Sequence, residues 1–147
     1  MVLILWRHAD AEDGMRDLER KLTQKGKKQA ARVADWLRER LPENTVVLAS
    51  PARRAQQTAE ALSDSFETLP ELAPEAAPQE VLAAAGWPKA HGTVVVVGHQ
   101  PTLGRAAALA LTGAAADWGM KKGSVWWLRR DDHGEVSLRA VIPPDLA

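Results

Sequence analysis

The chain has no cysteine, no tyrosine and a single phenylalanine, and neither sign of charge is in surplus: 19 Lys and Arg stand against 19 Asp and Glu over 147 residues. The missing cysteine excludes disulfides, a thiolate nucleophile and every cysteine-based metal site at once. The charge balance removes the electrostatic case for nucleic acid or a membrane surface as partner. No apolar run approaches the ~18 residues that a membrane-spanning helix needs. The short apolar run at the start has no basic segment before it and no small-residue cleavage site after it. It therefore does not read as a signal peptide, and a cytoplasmic location is expected. Six tryptophans carry nearly all the aromatic content, and they point to no particular function.

What is present is a chain that is 46% hydrophobic, long enough for one domain with a proper core, so residues 1–147 are read as a single unit. Leu3-Ile4-Leu5-Trp6 is apolar without alternation and stops abruptly at Arg7-His8, the pattern of a strand buried on both faces. Thr45–Ala49 and Thr93–Val97 read the same way, the second β-branched throughout its valines. Between the first two strands Ala30, Val33, Ala34, Leu37 and Leu41 share one helical face, with Thr23 as its cap and Pro42 as its stop. The Lys25, Lys27, Lys28 cluster reads as the solvated side of that helix rather than as a binding patch. Ser50-Pro51 is expected to open a second helix, Ser as N-cap and Pro at the first helical position. The proline-rich Leu69–Pro78 is a loop, followed by a short helix at Glu80–Ala85 and a small-residue helix from Leu103 to Leu111, closed by Gly113. Ser124–Arg129 and Glu135–Ile142 form a hairpin around Gly134. The alternation predicts a three-layer α/β/α sandwich with a mostly parallel central sheet and an antiparallel strand at its edge.

Three predicted strands end in chemistry: Arg7-His8, Ser50-Pro51 leading to Arg54, and Gly98-His99. Parallel strands would bring these ends to one edge of the sheet, where open α/β folds bind ligands. Two arginines and two histidines there, with helix N-termini at Ser50 and near Thr102, would make an anion site that needs no metal. On the Arg-His dipeptide alone, a surface arginine beside an edge histidine is an equal alternative. His91 and His133 fall in loops and are expected to be exposed. Trp126 and Trp127 are expected on opposite faces of one strand, and Trp6 in the core. There is no His-x-His, His-Glu-x-x-His or Gly-x-Ser-x-Gly pattern, so zinc and serine hydrolases are poorly supported.

Taken in order, Leu5-Trp6-Arg7-His8-Ala9, Leu22-Thr23-x-x-Gly26, Ser50-Pro51-Ala52-Arg53-Arg54-Ala55-Gln56-Gln57-Thr58, Leu69-Pro70-Glu71-Leu72 and Val97-Gly98-His99-Gln100-Pro101 resemble the histidine phosphatase superfamily, also called phosphoglycerate mutase-like. Within it they resemble the SixA-like branch of phosphohistidine phosphatases. The resemblance implies that His8 is a nucleophile forming a phosphohistidine intermediate. It implies that Arg7 and Arg54 bind phosphate oxygens, that His99 stabilises the same oxygens, and that no cofactor or metal is used. Arg53 is the rival for the role of Arg54, and one helical step of about 100° lets only one of them face the pocket. Most members of the superfamily have glycine where Ala9 stands. Alanine there would be strained if the backbone needed a positive φ, and Arg-His-Ala is otherwise a marker of the SixA-like branch. Glu71 is the best-placed general acid, with Asp10 behind it, and a solvated loop charge is an equal reading of Glu71.

Only 44 residues separate Arg54 from His99, leaving little chain for a lid over a small substrate. The expected partner is therefore a phosphohistidine-bearing protein, with neither nucleic acid nor membrane involved, and the expected state is a monomer. A phosphatase of a small metabolite and a non-catalytic phosphate-binding module are the alternatives. An ordered lid over Leu69–Ala90 would favour the first, and phosphate binding without turnover the second.

Overall fold

A computed structural model describes residues 1–147. Six strands form one sheet: β1 (Val2–Arg7), β2 (Val46–Ala49), β3 (Glu67–Thr68), β4 (Thr93–Gly98), β5 (Val125–Arg130) and β6 (Val136–Ile142). Their spatial order is β3-β2-β4-β1-β5-β6. The first four in that order run parallel, β5 is antiparallel to β1, and β6 is antiparallel to β5. Four helices cover the sheet: α1 (Gln24–Arg38), α2 (Arg53–Leu62), α3 (Pro78–Ala85) and α4 (Thr102–Thr112).

The apolar runs make the core on both sides. Along β4, Val94 and Val96 face one way and Val95 and Val97 the other, as strand geometry demands. Leu3, Leu5, Val94 and Val96 pack against Val81, Leu82, Leu103 and Ala106 of α3 and α4. Ile4, Trp6, Val95 and Val97 pack against Val33, Leu37, Ala55 and Ala59 of α1 and α2. The expected three-layer sandwich is what forms. Trp6 is fully buried, and its Nε1–H donates to the Gly123 carbonyl at 3.1 Å. Trp126 and Trp127 do take opposite faces, one against Trp118 and the other edge-on to Trp36.

Local signals behave unevenly. Thr23 caps α1, its hydroxyl accepting from the Gly26 amide at 2.9 Å. Gly113 closes α4 in the left-handed region, at φ 84°. Ser50 is not a helix cap, however. α2 begins three residues later, at Arg53, with Ala52 as the capping position. The Ser50 hydroxyl accepts the Ala52 amide at 3.1 Å but turns its other side toward the sheet edge. The late start puts Arg54 in the first turn of α2. Two short elements went unforeseen, the two-residue β3 and a 3-10 turn at Asp17–Glu19. The short third helix begins earlier than expected because Pro78 serves as its first residue.

Candidate active site

The sheet register brings the two histidines together. Arg7 and Gly98 are paired residues on the adjacent parallel strands β1 and β4. The next residue along each strand is therefore His8 beside His99. The His8 amide continues the ladder by donating to the Gly98 carbonyl at 3.0 Å. The ring centroids lie 5.1 Å apart, and both side chains are buried.

Hydrogen bonds select the tautomer of each ring. His8 Nδ1 lies 2.8 Å from the Ala9 carbonyl oxygen, which can only accept, so Nδ1 carries the proton and Nε2 keeps its lone pair. Arg54 Nη2 can only donate, and it lies 3.4 Å from His99 Nδ1. His99 Nε2–H then donates to the Ser50 hydroxyl at 2.7 Å. Ser50, read from sequence as a helix cap, therefore orients the second histidine. Burial is the main cause that lowers His8 to a pKa of about 4, opposed by the Ala9 hydrogen bond and reinforced by Arg54, Arg7 and Arg20. Burial likewise lowers His99 to about 3, with His8 and Arg54 adding to it. Both rings are neutral at pH 7.

Of the two adjacent arginines, Arg54 is buried and faces the histidines, whereas Arg53 is exposed. Arg54 also donates to the Asp17 carbonyl at 2.8 Å and pairs with the Asp17 carboxylate at 3.2 Å. Arg20 binds the other oxygen of that carboxylate at 3.0 Å, and this bond is the main cause holding Asp17 below the usual carboxylate range. Arg7 donates to the Met120 carbonyl at 2.7 Å. Arg7 Nε and Arg54 Nε are two of only three buried side-chain N–H groups that find no partner. Buried donors left free are costly, and these two belong to the side chains that flank the histidines.

Side chains from both neighbouring helices hold the turn after His8. The Ala9 amide donates to Thr58 Oγ1 at 3.1 Å, and Thr58 in turn donates to the Arg54 carbonyl at 2.8 Å. Thr58 thereby ties the turn after His8 to the first turn of α2. The Asp10 amide donates to Gln29 of α1 at 2.9 Å. Ala9 itself is buried and has no positive φ, so alanine carries no strain where glycine is the commoner residue. Gly26 passes so close to the Asp10 carbonyl that a Cβ would collide with it.

The two acid candidates differ. The Asp10 carboxylate accepts from the Thr23 hydroxyl at 2.7 Å and pairs with Lys122 at 3.2 Å. The Thr23 bond is the main cause keeping it below the usual range, so it is ionised and a poor proton donor at neutral pH. Glu71 is exposed on the 3-10 turn Pro70–Leu72 just beyond β3. That is the same edge of the sheet, and Glu71 makes no ion pair there. His91 and His133 are exposed, as expected. Sequence reasoning missed Ser50, Thr58, Gln29 and Asp17. The Thr58 and Ser50 positions lay inside the quoted motifs, whereas nothing local marks Asp17.

The comparisons with known proteins agree with this geometry. Residues 3–80 match the family described as histidine phosphatase superfamily (branch 1). Phosphohistidine phosphatase SixA of Escherichia coli (strain K12) is 34% identical over 113 residues, covering 71% of this chain and 70% of that protein. The structure of the protein histidine phosphatase SixA complexed with tungstate superposes with a TM-score of 0.85 at 28% identity, covering 99% of this chain and 98% of the other. A phosphoserine phosphatase from Entamoeba histolytica in complex with 3-phosphoglyceric acid has a TM-score of 0.73 at 16% identity, over 95% of each chain, and shares the fold. With its paired strand-tip histidines, buried arginine and matching sequence, the chain belongs to the histidine phosphatase superfamily, and it is a phosphatase of the SixA-like kind.

Proposed function

We propose that the protein removes the phosphoryl group from phosphohistidine on a protein, without a metal, through a phosphohistidine intermediate on His8. The observation that carries the reading is the tautomer of His8. With Nδ1–H held by the Ala9 carbonyl, the Nε2 lone pair is free at neutral pH beside His99 and Arg54. The relatives named phosphohistidine phosphatase, and the tetrahedral oxyanion tungstate held by one of them, support the same reading.

In the first step His8 Nε2 attacks phosphorus in line, the new N–P bond forming as the bond to the leaving imidazole breaks. The leaving nitrogen takes its proton from solvent or from Glu71. Arg7 and Arg54 neutralise the equatorial oxygens as charge shifts, the contribution a metal makes in other phosphoryl transfers. The phosphoryl dianion draws His99 toward its imidazolium form, so that Nδ1–H donates to an oxygen while Nε2–H stays on Ser50. In the second step water attacks the phosphorus, the His8–P bond breaks, and phosphate leaves with the ring returned to its Nδ1–H tautomer.

The test is a dephosphorylation panel comparing a phosphohistidine carrier protein, free phosphohistidine and sugar phosphates, each with and without EDTA. The expected result is preference for the carrier protein, turnover undiminished by EDTA, and an acid-labile, alkali-stable phosphoryl label on the enzyme. Preference for a sugar phosphate would move the assignment to a small metabolite. Strict dependence on a divalent metal would overturn the two-arginine, two-histidine mechanism.

A further inference from the structure

The lysine cluster at the start of α1 does not behave as one solvated face. Lys25, Lys28 and Arg32 are spaced three and four residues apart and line one side of an open groove of about 820 Å³, whereas Lys27 lies on the other side of the helix. Lys121 and Lys122 form the opposite wall, on the segment that Trp6 and Arg7 hold through the Gly123 and Met120 carbonyls. The groove adjoins the reaction centre, since Arg7 belongs to both and Asp10 follows His8 by two residues.

Its charge is lopsided in a chain whose net charge is zero. The lining carries six cationic side chains and two carboxylates, Asp10 and Asp145. Asp10 is already paired with Lys122, and no carboxylate lies within ion-pair distance of Lys25, Lys28 or Lys121. Pro144 is the one apolar residue in the lining and no aromatic side chain joins it, so the groove offers neither an aromatic stacking platform for bases nor an apolar slot for a metabolite. Along α1 the three cations span about 10 Å at 1.5 Å per residue, the length of a few residues of extended chain.

We propose that this groove is the docking track for an acidic segment of the phosphoprotein substrate, positioned when the phosphoryl group lies against His8. The proposal rests on the function proposed above and adds what the substrate must carry beside its phosphohistidine. The track raises affinity and association rate and leaves the chemical step unchanged.

Two synthetic peptides test it, identical except that one phosphohistidine is flanked by glutamates and the other by glutamines. At low salt the glutamate peptide is expected to have a kcat/KM on the order of tenfold higher, as three exposed charge pairs would give, and the advantage should fade as salt rises. Lys25→Glu/Lys28→Glu/Lys121→Glu is expected to erase the advantage while free phosphohistidine is turned over within about twofold of the parent rate. Lys27→Glu/Lys89→Glu/Arg139→Glu, an equal charge change outside the groove, should keep it. Equal kcat/KM for the two peptides, or an advantage that survives the groove reversal, overturns the proposal. So does an oligonucleotide of equal charge that binds there as tightly. Anisotropy of the labelled, unphosphorylated glutamate peptide reads docking without turnover. Binding that the groove reversal abolishes supports the track even if no peptide is dephosphorylated, a result that defeats the phosphatase reading alone.

Discussion

The crevice around His8 and the groove beside it share one edge of the sheet and one arginine, yet they are built on opposite principles. The crevice is dry. Its two imidazoles are buried, their pKa values are driven down by burial, and three of the four ring nitrogens are hydrogen-bonded, which leaves His8 Nε2 free. The groove is wet. Its lysines are exposed. A low-dielectric site makes each charge and each lost donor expensive, whereas an exposed site lets water soften the loss. On the proposed reading, bond-making belongs to the crevice and recognition to the groove.

The sharpest way to break that division is to remove the proposed nucleophile. His8→Ala is expected to abolish turnover of every phosphorylated substrate while circular dichroism and thermal unfolding stay near the parent, since the ring caps a strand tip rather than filling the core. Appreciable residual turnover would end the assignment. Arg54→Ala comes next. It should lower kcat by about 10² or more, as loss of a preorganised donor does, with initial-rate kinetics as the readout. Arg53→Ala one residue earlier should leave kcat within about twofold, because Arg53 is exposed.

Gly26→Ala probes the frame and not the chemistry. The added methyl would push the Asp10 carbonyl, and with it the turn that follows His8, costing about 1–3 kcal/mol in denaturant unfolding. The smallest expected effect is pH. With His8 near pKa 4, the rate on an acid-stable aryl phosphate should change little between pH 7 and 5 once the substrate's own ionisation is allowed for. An acid limb near 6.5 would mean an ordinary, solvated histidine. Stability is linked with the same sign. The unfolded chain takes protons on these histidines first, so stability is full above about pH 6.5 and falls as the pH drops toward about 3–4. His8→Ala/His99→Ala should flatten that slope.

The sheet was legible because strands buried on both faces advertise themselves, as Leu3–Trp6 and Thr93–Val97 do, and parallel pairing then forces Arg7-His8 and Gly98-His99 to one edge. The helix over Ala30–Leu37 was legible from its period. Ser50 misled because Ser-Pro is a common helix opening, and only the closeness of β4 shows that the hydroxyl is wanted by His99. Asp17 could not be found from its neighbours, since its partner Arg54 lies 37 residues away and meets it only after the chain closes. Lys25, Lys27 and Lys28 looked alike because composition cannot say which side of a helix another segment will wall in.

β1 and β4 lie in the interior of the sheet, and the four consecutive valines of β4 are buried throughout. Amides in such strands exchange with solvent last, since releasing them requires the whole domain to open. Fraying of the hairpin, or of the loop that carries Lys121 and Lys122, leaves those strands intact. The two imidazoles therefore hang from the part of the molecule that breathes least, and motion at the periphery leaves the distance between the rings undisturbed.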